Sequence, residues 1–367
     1  MYVVMYMGFS AGLAFARRSV LLLALQILAV VVVSAVSLGC GLDSPDDGPE
    51  ASPTAVASPT SAIDRDPTPV PEVATPTPTP SPSPSPTPEP PPETPEPEPS
   101  PEIGADLQQL EADLASAIEE YWVGGNYAFA VTDLQTGETV GFRGTTPQMS
   151  GCVMNLFVLY QVARDLEAGR YALDEVDALM RATPWSSNAV TAWELFRIAG
   201  DGVALDGVRR VAALISDLGL EDVLLDHPPG YHADSLGLDY NNWVTAESTN
   251  LALAALWNGE VVGDEYREYL LEILSDVKPG LNYLTAAVPE GIVSHKNGFF
   301  YGDTGYVDND VGIVRLERDG TEYAYAVSFL AEEEPTKYGD VVLGQQLGTV
   351  AYEVMAARYP AGASAVR

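Results

Sequence analysis

Three regimes of hydrophobic patterning divide the chain. Arg17 and Arg18 lead into SVLLLALQILAVVVVSAVSLGC, which is apolar almost without a break. A basic flank ahead of an apolar core is the pattern of an export signal, so residues 1–40 read as a targeting segment. The run is also long enough to cross a bilayer, which makes an uncleaved transmembrane anchor the alternative. Residues 41–102 show no apolar period and hold most of the chain's 29 prolines. So few apolar groups cannot offset the entropy of ordering, and proline biases the backbone towards an extended spacer. This stretch reads as a disordered linker rich in Pro, Thr, Ser and Glu. In residues 103–367 the apolar positions recur with the periods of a folded domain.

Within that domain, IGADLQQLEADLASAIEEYW has apolar residues at helical spacing and predicts a first helix. YAFAVTDL and ETVGF, joined by QTG, predict a β-hairpin. A helical middle follows, with helices predicted over Val153–Ala168, Ala189–Ala199, Gly207–Leu218, Thr245–Trp257 and Glu265–Ser275. Strands return in GIVSHKNGF, DVGIVRLE and EYAYAVSFL, the last two joined by a turn at Asp319-Gly320. A closing helix is expected from Asp340 to Arg358. Late strands joined by short turns must be antiparallel. Strands and helices segregated in this way indicate an α+β domain: terminal helices on an antiparallel sheet, with the middle block as a second, all-α lobe. A site in such a plan is expected in the cleft between the two lobes.

Charge narrows the field of partners. With 52 acidic against 18 basic residues, the net charge is −34. Such a field repels nucleic acid, and no basic groove is present to overcome it. There are two cysteines, Cys40 and Cys152, so a disulfide framework is excluded and one bridge is the most that could form. The three histidines, His227, His232 and His295, have no metal-ligand spacing with either cysteine, and neither a metal nor a cofactor is expected.

Three short motifs carry candidate chemistry. Cys152-Val-Met-Asn155 opens a long apolar helix, Ser186-Ser187-Asn188 is read as opening a helix of the α lobe, and Lys296-Asn297-Gly298 lies on a strand beyond it. In order and context they resemble the three motifs of the class A β-lactamase and penicillin-binding transpeptidase superfamily: Ser-x-x-Lys, Ser-Asp-Asn and Lys-Thr-Gly. The resemblance runs from Ile103 to Tyr359 and is most specific in VSHKNGFFYGDTGYVDNDVGIV. It implies the superfamily's α+β fold, with an α lobe shortened by the brief interval between Cys152 and Ser186. Cys152 takes the nucleophile's place and Asn155 that of the lysine that helps to deprotonate it. The resemblance further implies that Ser186 hands a proton to the leaving group and that Lys296 supplies charge for a substrate carboxylate. Asn155, Asn188, Asn297, Gly298 and Phe299 would line the substrate, and the N–H groups of Cys152 and Phe299 would form an oxyanion hole. The region LLDHPPGYHADSLGLDYNNWVTAEST lacks the superfamily's Glu-x-x-x-Asn pattern. Asp226, Asp234 and Asp239 lie there, and His227 and His232 are its candidate bases.

At the end of the apolar run, SLGC resembles a bacterial lipoprotein signal, although Ser37 stands where an aliphatic residue is usual. That implies lipid on Cys40 and a domain at the outer face of the membrane. Three functions follow as expectations. One is an envelope-tethered pseudoenzyme, its acyl transfer lost or weakened, binding a peptidoglycan peptide or a β-lactam-like molecule. The second is an active hydrolase or transferase with Cys152 as nucleophile, and the third a structural envelope protein. Asn155 favours the first, because an amide cannot accept a proton at neutral pH.

Overall fold

The computed structural model describes residues 104–231, 241–281, 284–285, 287–302 and 304–359. The targeting segment, Cys40, the linker, His232, Asp234 and Asp239 lie outside them. Two helices at the ends of the domain, α1 (Ala105–Tyr121) and α8 (Val341–Arg358), flank a sheet of β1 (Asn126–Asp133), β2 (Thr139–Phe142), β5 (Ile292–Tyr301), β6 (Tyr306–Arg318) and β7 (Thr321–Glu334). The strand order is β2-β1-β7-β6-β5 and every pairing is antiparallel. β1 pairs with β7 along its whole length, so the first and last strands of the domain meet at the centre of the sheet.

Alternation along the strands separates two cores. From β1 and β7, Phe129, Val131, Val327 and Phe329 pack beneath the terminal helices with Leu110, Leu347 and Met355. Ala128, Ala130, Ala324 and Ala326 face the other way, and their small side chains let the α lobe sit close on the sheet. The lobe is built on α2 (Asn155–Glu167), whose Leu156, Phe157, Val158, Leu159 and Tyr160 are all buried. Around it lie α3 (Leu173–Ser186), α4 (Ala189–Ala199), α5 (Ala204–Asp217), α6 (Ala246–Trp257) and α7 (Asp264–Ser275). The α+β plan is therefore the one expected. Among the described residues no helix is long and apolar enough to cross a membrane.

Two local features differ from expectation, and the turn expected at Asp319-Gly320 is present. The helix predicted from Val153 begins as a 3-10 turn, Gly151–Met154, and becomes α-helical only at Asn155. α3 was not anticipated; Pro184 lies in its last turn. Ser186 therefore ends a helix instead of opening one. At Asp319-Gly320 both residues have positive φ, the tight hairpin turn that an Asp-Gly pair favours.

Where β6, β7 and α8 converge, Asp308, Glu334 and Asp340 are all buried. Burial first, and then the charge of Asp340, pushes the Glu334 carboxyl up to about 8. Burial also raises Asp308 and Asp340 above the ordinary carboxylate range, and at Asp308 the charge of Asp340 adds to it.

Candidate active site between the sheet edge and the α lobe

β5 is an edge strand, and its free side meets the 3-10 turn that carries Cys152. Gly298 makes that approach possible: a Cβ there would lie 2.8 Å from the Cys152 nitrogen and 2.9 Å from the Val153 nitrogen. The turn is held from several sides. β3 (Gln148–Met149) pairs with β4 (Trp243–Val244). The Glu332 carboxylate accepts from the Met149 N–H (2.9 Å), and the Asn309 amide donates to the Met149 carbonyl (2.8 Å). Gly151, with φ +51°, supplies the left-handed step just before the thiol. Glu332 and Asn242, whose carbonyl accepts from the Ser150 N–H, position the site although no motif marked them, whereas Asn309 lies in the stretch VSHKNGFFYGDTGYVDNDVGIV.

A cavity of about 630 Å³ opens between the lobes. Cys152, Ser186, Asn188 and Phe299 line it, as does Ser187; Lys296, Asn155, Asn297 and Gly298 stand behind its wall. Cys152 is a thiol only 4% exposed, reached through this cavity. Lys296 is 1% exposed. Its ammonium donates to the Ser187 hydroxyl and to the Asn297 carbonyl. The Ser187 hydroxyl in turn donates to the Asn297 carbonyl (2.8 Å), with the Asn297 side-chain oxygen at 3.2 Å. The hydroxyl that meets the lysine is thus Ser187, one place after the residue expected. Ser187 is the left-handed C-cap of α3, with φ +54°, and that reversal turns its side chain to the edge of β5. Asn188 is the N-cap of α4, its side-chain oxygen accepting from the N–H groups of Val190 and Thr191 (2.9 and 3.2 Å).

Because the Asn297 carbonyl faces the free edge, the two-residue repeat of a strand points the Phe299 N–H the same way. That N–H and the turn at Cys152 lie on the same side of β5, where an oxyanion would need donors. Asn155, one turn beyond Cys152, is fully buried, and neither of its side-chain polar atoms has a hydrogen-bond partner among the described residues. Among those residues no group of three or more His, Cys, Asp and Glu side chains is placed to hold a metal ion.

Comparison with known proteins agrees with this architecture. Residues 203–355 match the family model described as the β-lactamase enzyme family. A class A β-lactamase from Bacteroides cellulosilyticus superposes with a TM-score of 0.58 at 20% identity, over 70% of this chain and 100% of that one. A β-lactamase from Xanthomonas campestris gives 0.57 at 15% identity, covering 69% and 100%. One from Sphaerobacter thermophilus gives 0.55 at 20%, covering 69% and 99%. No curated protein matches this chain. The domain therefore has the fold of the class A β-lactamases, and its residues 203–355 match the model of the β-lactamase enzyme family.

Proposed function

We propose that this domain binds a cell-wall peptide or β-lactam-like molecule in the cleft, without turning it over by the serine–lysine route. The carrying observation is Asn155. A buried amide occupies the place one helical turn from the nucleophile, where the superfamily resemblance calls for a proton acceptor. Losing a general base lowers acyl transfer by roughly 10²–10⁴-fold. The cavity meanwhile keeps the character of a ligand site. Trp185, Val190 and Tyr301 line it and are 42%, 63% and 66% exposed, an apolar surface that a bound molecule would cover. Residues 1–40 tether the domain outside the membrane through lipid on Cys40 or through the apolar run itself, and residues 41–102 space it outwards.

Two measurements test this. A chromogenic cephalosporin should show no steady-state hydrolysis, while peptidoglycan fragments should change the tryptophan fluorescence saturably in wild type and more weakly in Tyr301→Ala. Rapid multiple turnover would refute the loss of catalysis. A flat titration with every fragment would favour a purely structural role. Cells labelled with a fatty acid should incorporate it into wild type and not into Cys40→Ala; label in neither points to the transmembrane anchor.

A further inference from the structure

The serine–lysine comparison leaves one chemical group in the cavity unused. His227, in the segment between α5 and β4, lines the same cavity as Cys152 and is 6% exposed. Its Nδ1 lies 3.0 Å from the Pro228 carbonyl oxygen. A carbonyl can only accept, so Nδ1 carries a proton, and the tautomer that this contact allows has its lone pair on Nε2. Nε2 is buried and has no hydrogen-bond partner among the described residues. An unpartnered ring nitrogen thus lies on a residue that lines the same cavity as a thiol.

Asn242 sets the position of this ring. Its side-chain oxygen accepts from the N–H groups of Asp226 (2.8 Å) and His227 (3.3 Å), and its amide donates to the His227 carbonyl (2.8 Å). Its own backbone carbonyl accepts from the Ser150 N–H (3.1 Å), two residues before Cys152. One asparagine thus ties the backbone of the histidine to the turn that presents the thiol.

We infer that Cys152 and His227 form a thiol–imidazole pair that takes up an acyl group from an activated ester or thioester. The inference rests on the proposed reading of the cavity as a ligand site. At rest Nε2 is not hydrogen-bonded to the thiol; the ring turns towards Cys152 within the shared cavity, and the thiol proton passes to Nε2 as Sγ bonds to the acyl carbon. The developing oxyanion lies towards the N–H groups of Cys152 and Phe299. Collapse breaks the bond to the leaving group, which takes the proton from Nε2 and leaves a thioester on Cys152. No lysine is required, because a thiol is partly ionised near neutral pH and needs less help than a hydroxyl.

4-Nitrophenyl acetate is the probe. The wild-type domain should release one equivalent of nitrophenolate and gain one acetyl group, mapped to Cys152 by peptide mass. Cys152→Ala should gain none there. His227→Gln should acetylate about 10²-fold more slowly. The wild-type rate should rise with the ionisation of an imidazole, whereas in His227→Gln it should follow an ordinary thiol near pH 8.5. The wild-type pH profile needs no variant to fold: a bend only at the thiol value overturns the pair, as does wild-type Cys152 that stays unacetylated at every pH. Equal rates in a folded His227→Gln variant do the same. Peptidoglycan fragments that bind Cys152→Ala as they bind wild type would preserve the cleft reading even if the pair fails. Acetylation without any fragment binding would preserve the pair and discard that choice of ligand.

Discussion

Replacing Glu334 by Gln tests the energetics of the buried carboxylates. The carboxyl is pushed up to about 8 by burial and by the neighbouring Asp340. Its folded-state pKa therefore lies above that of the unfolded chain, and the protonated form suits the folded domain. The contribution to stability is complete below about pH 4.5 and is lost as pH rises towards 8. Each unit of difference corresponds to about 1.4 kcal/mol. Between pH 5 and pH 8 the wild-type domain should thus lose about 3–4 kcal/mol through this one group. For a domain of this size 1 kcal/mol moves Tm by about 2–4 °C, so the fall is on the order of 10 °C. Glutamine has the same shape and no titration. Glu334→Gln should therefore melt at a similar temperature to wild type at pH 5 and well above it at pH 8. The assay is a thermal melt by circular dichroism across that range. Because the net charge of −34 also disfavours the folded state as pH rises, the difference between the two proteins is the quantity to follow. Parallel curves with a constant offset would refute the reasoning.

Further outcomes follow from the packing. Gly298→Ala puts a methyl carbon within 3 Å of two backbone nitrogens of the Cys152 turn; a loss of about 1–3 kcal/mol is expected by denaturant titration, together with a fall in Cys152 acetylation. Asn155→Leu removes two buried polar atoms that have no partner among the described residues. It should raise stability by about 1–3 kcal/mol, and a lowered Tm would show that the amide is satisfied in solution. The Arg358 guanidinium donates to Asp133 (2.6 Å), to both oxygens of Asp106 (2.8 Å) and to Glu138. Arg358→Ala takes the counter-charge from the buried Asp133, which keeps only the Tyr359 hydroxyl and the Gln135 N–H among the described residues, and should cost about 3 kcal/mol in urea unfolding.

Most of the architecture was legible in the sequence. The helix Ala189–Ala199 has the bounds expected, and the hairpin and the three late strands lie where alternation put them. α3 was not anticipated, and Pro184 in its last turn is a residue that local propensity sets against a helix. The site was legible in part. Cys152 and Phe299 were expected in the cleft and line it, and Lys296 was expected to act there but stands buried behind Ser187. Ser186 and Ser187 are chemically identical neighbours, so no property of the sequence ranks one over the other as the partner of a lysine. His227 was only one base candidate among several loop residues. Nothing local to it announces Asn242 or the thiol.

The sequence by itself determined the alternation of strands and helices, the apolar faces that drive the two cores together, and the chemical types available at each motif. These are properties of 3.6- and 2-residue periods and of side-chain composition, and neighbouring residues suffice to express them. The tertiary structure decided which hydroxyl meets Lys296, that Asn155 is sealed from the cleft, and that His227 shares a cavity with Cys152. Those outcomes depend on the sign of one φ angle at Ser187 and on the packing of segments more than seventy residues apart (227 against 152). A local period carries no record of either.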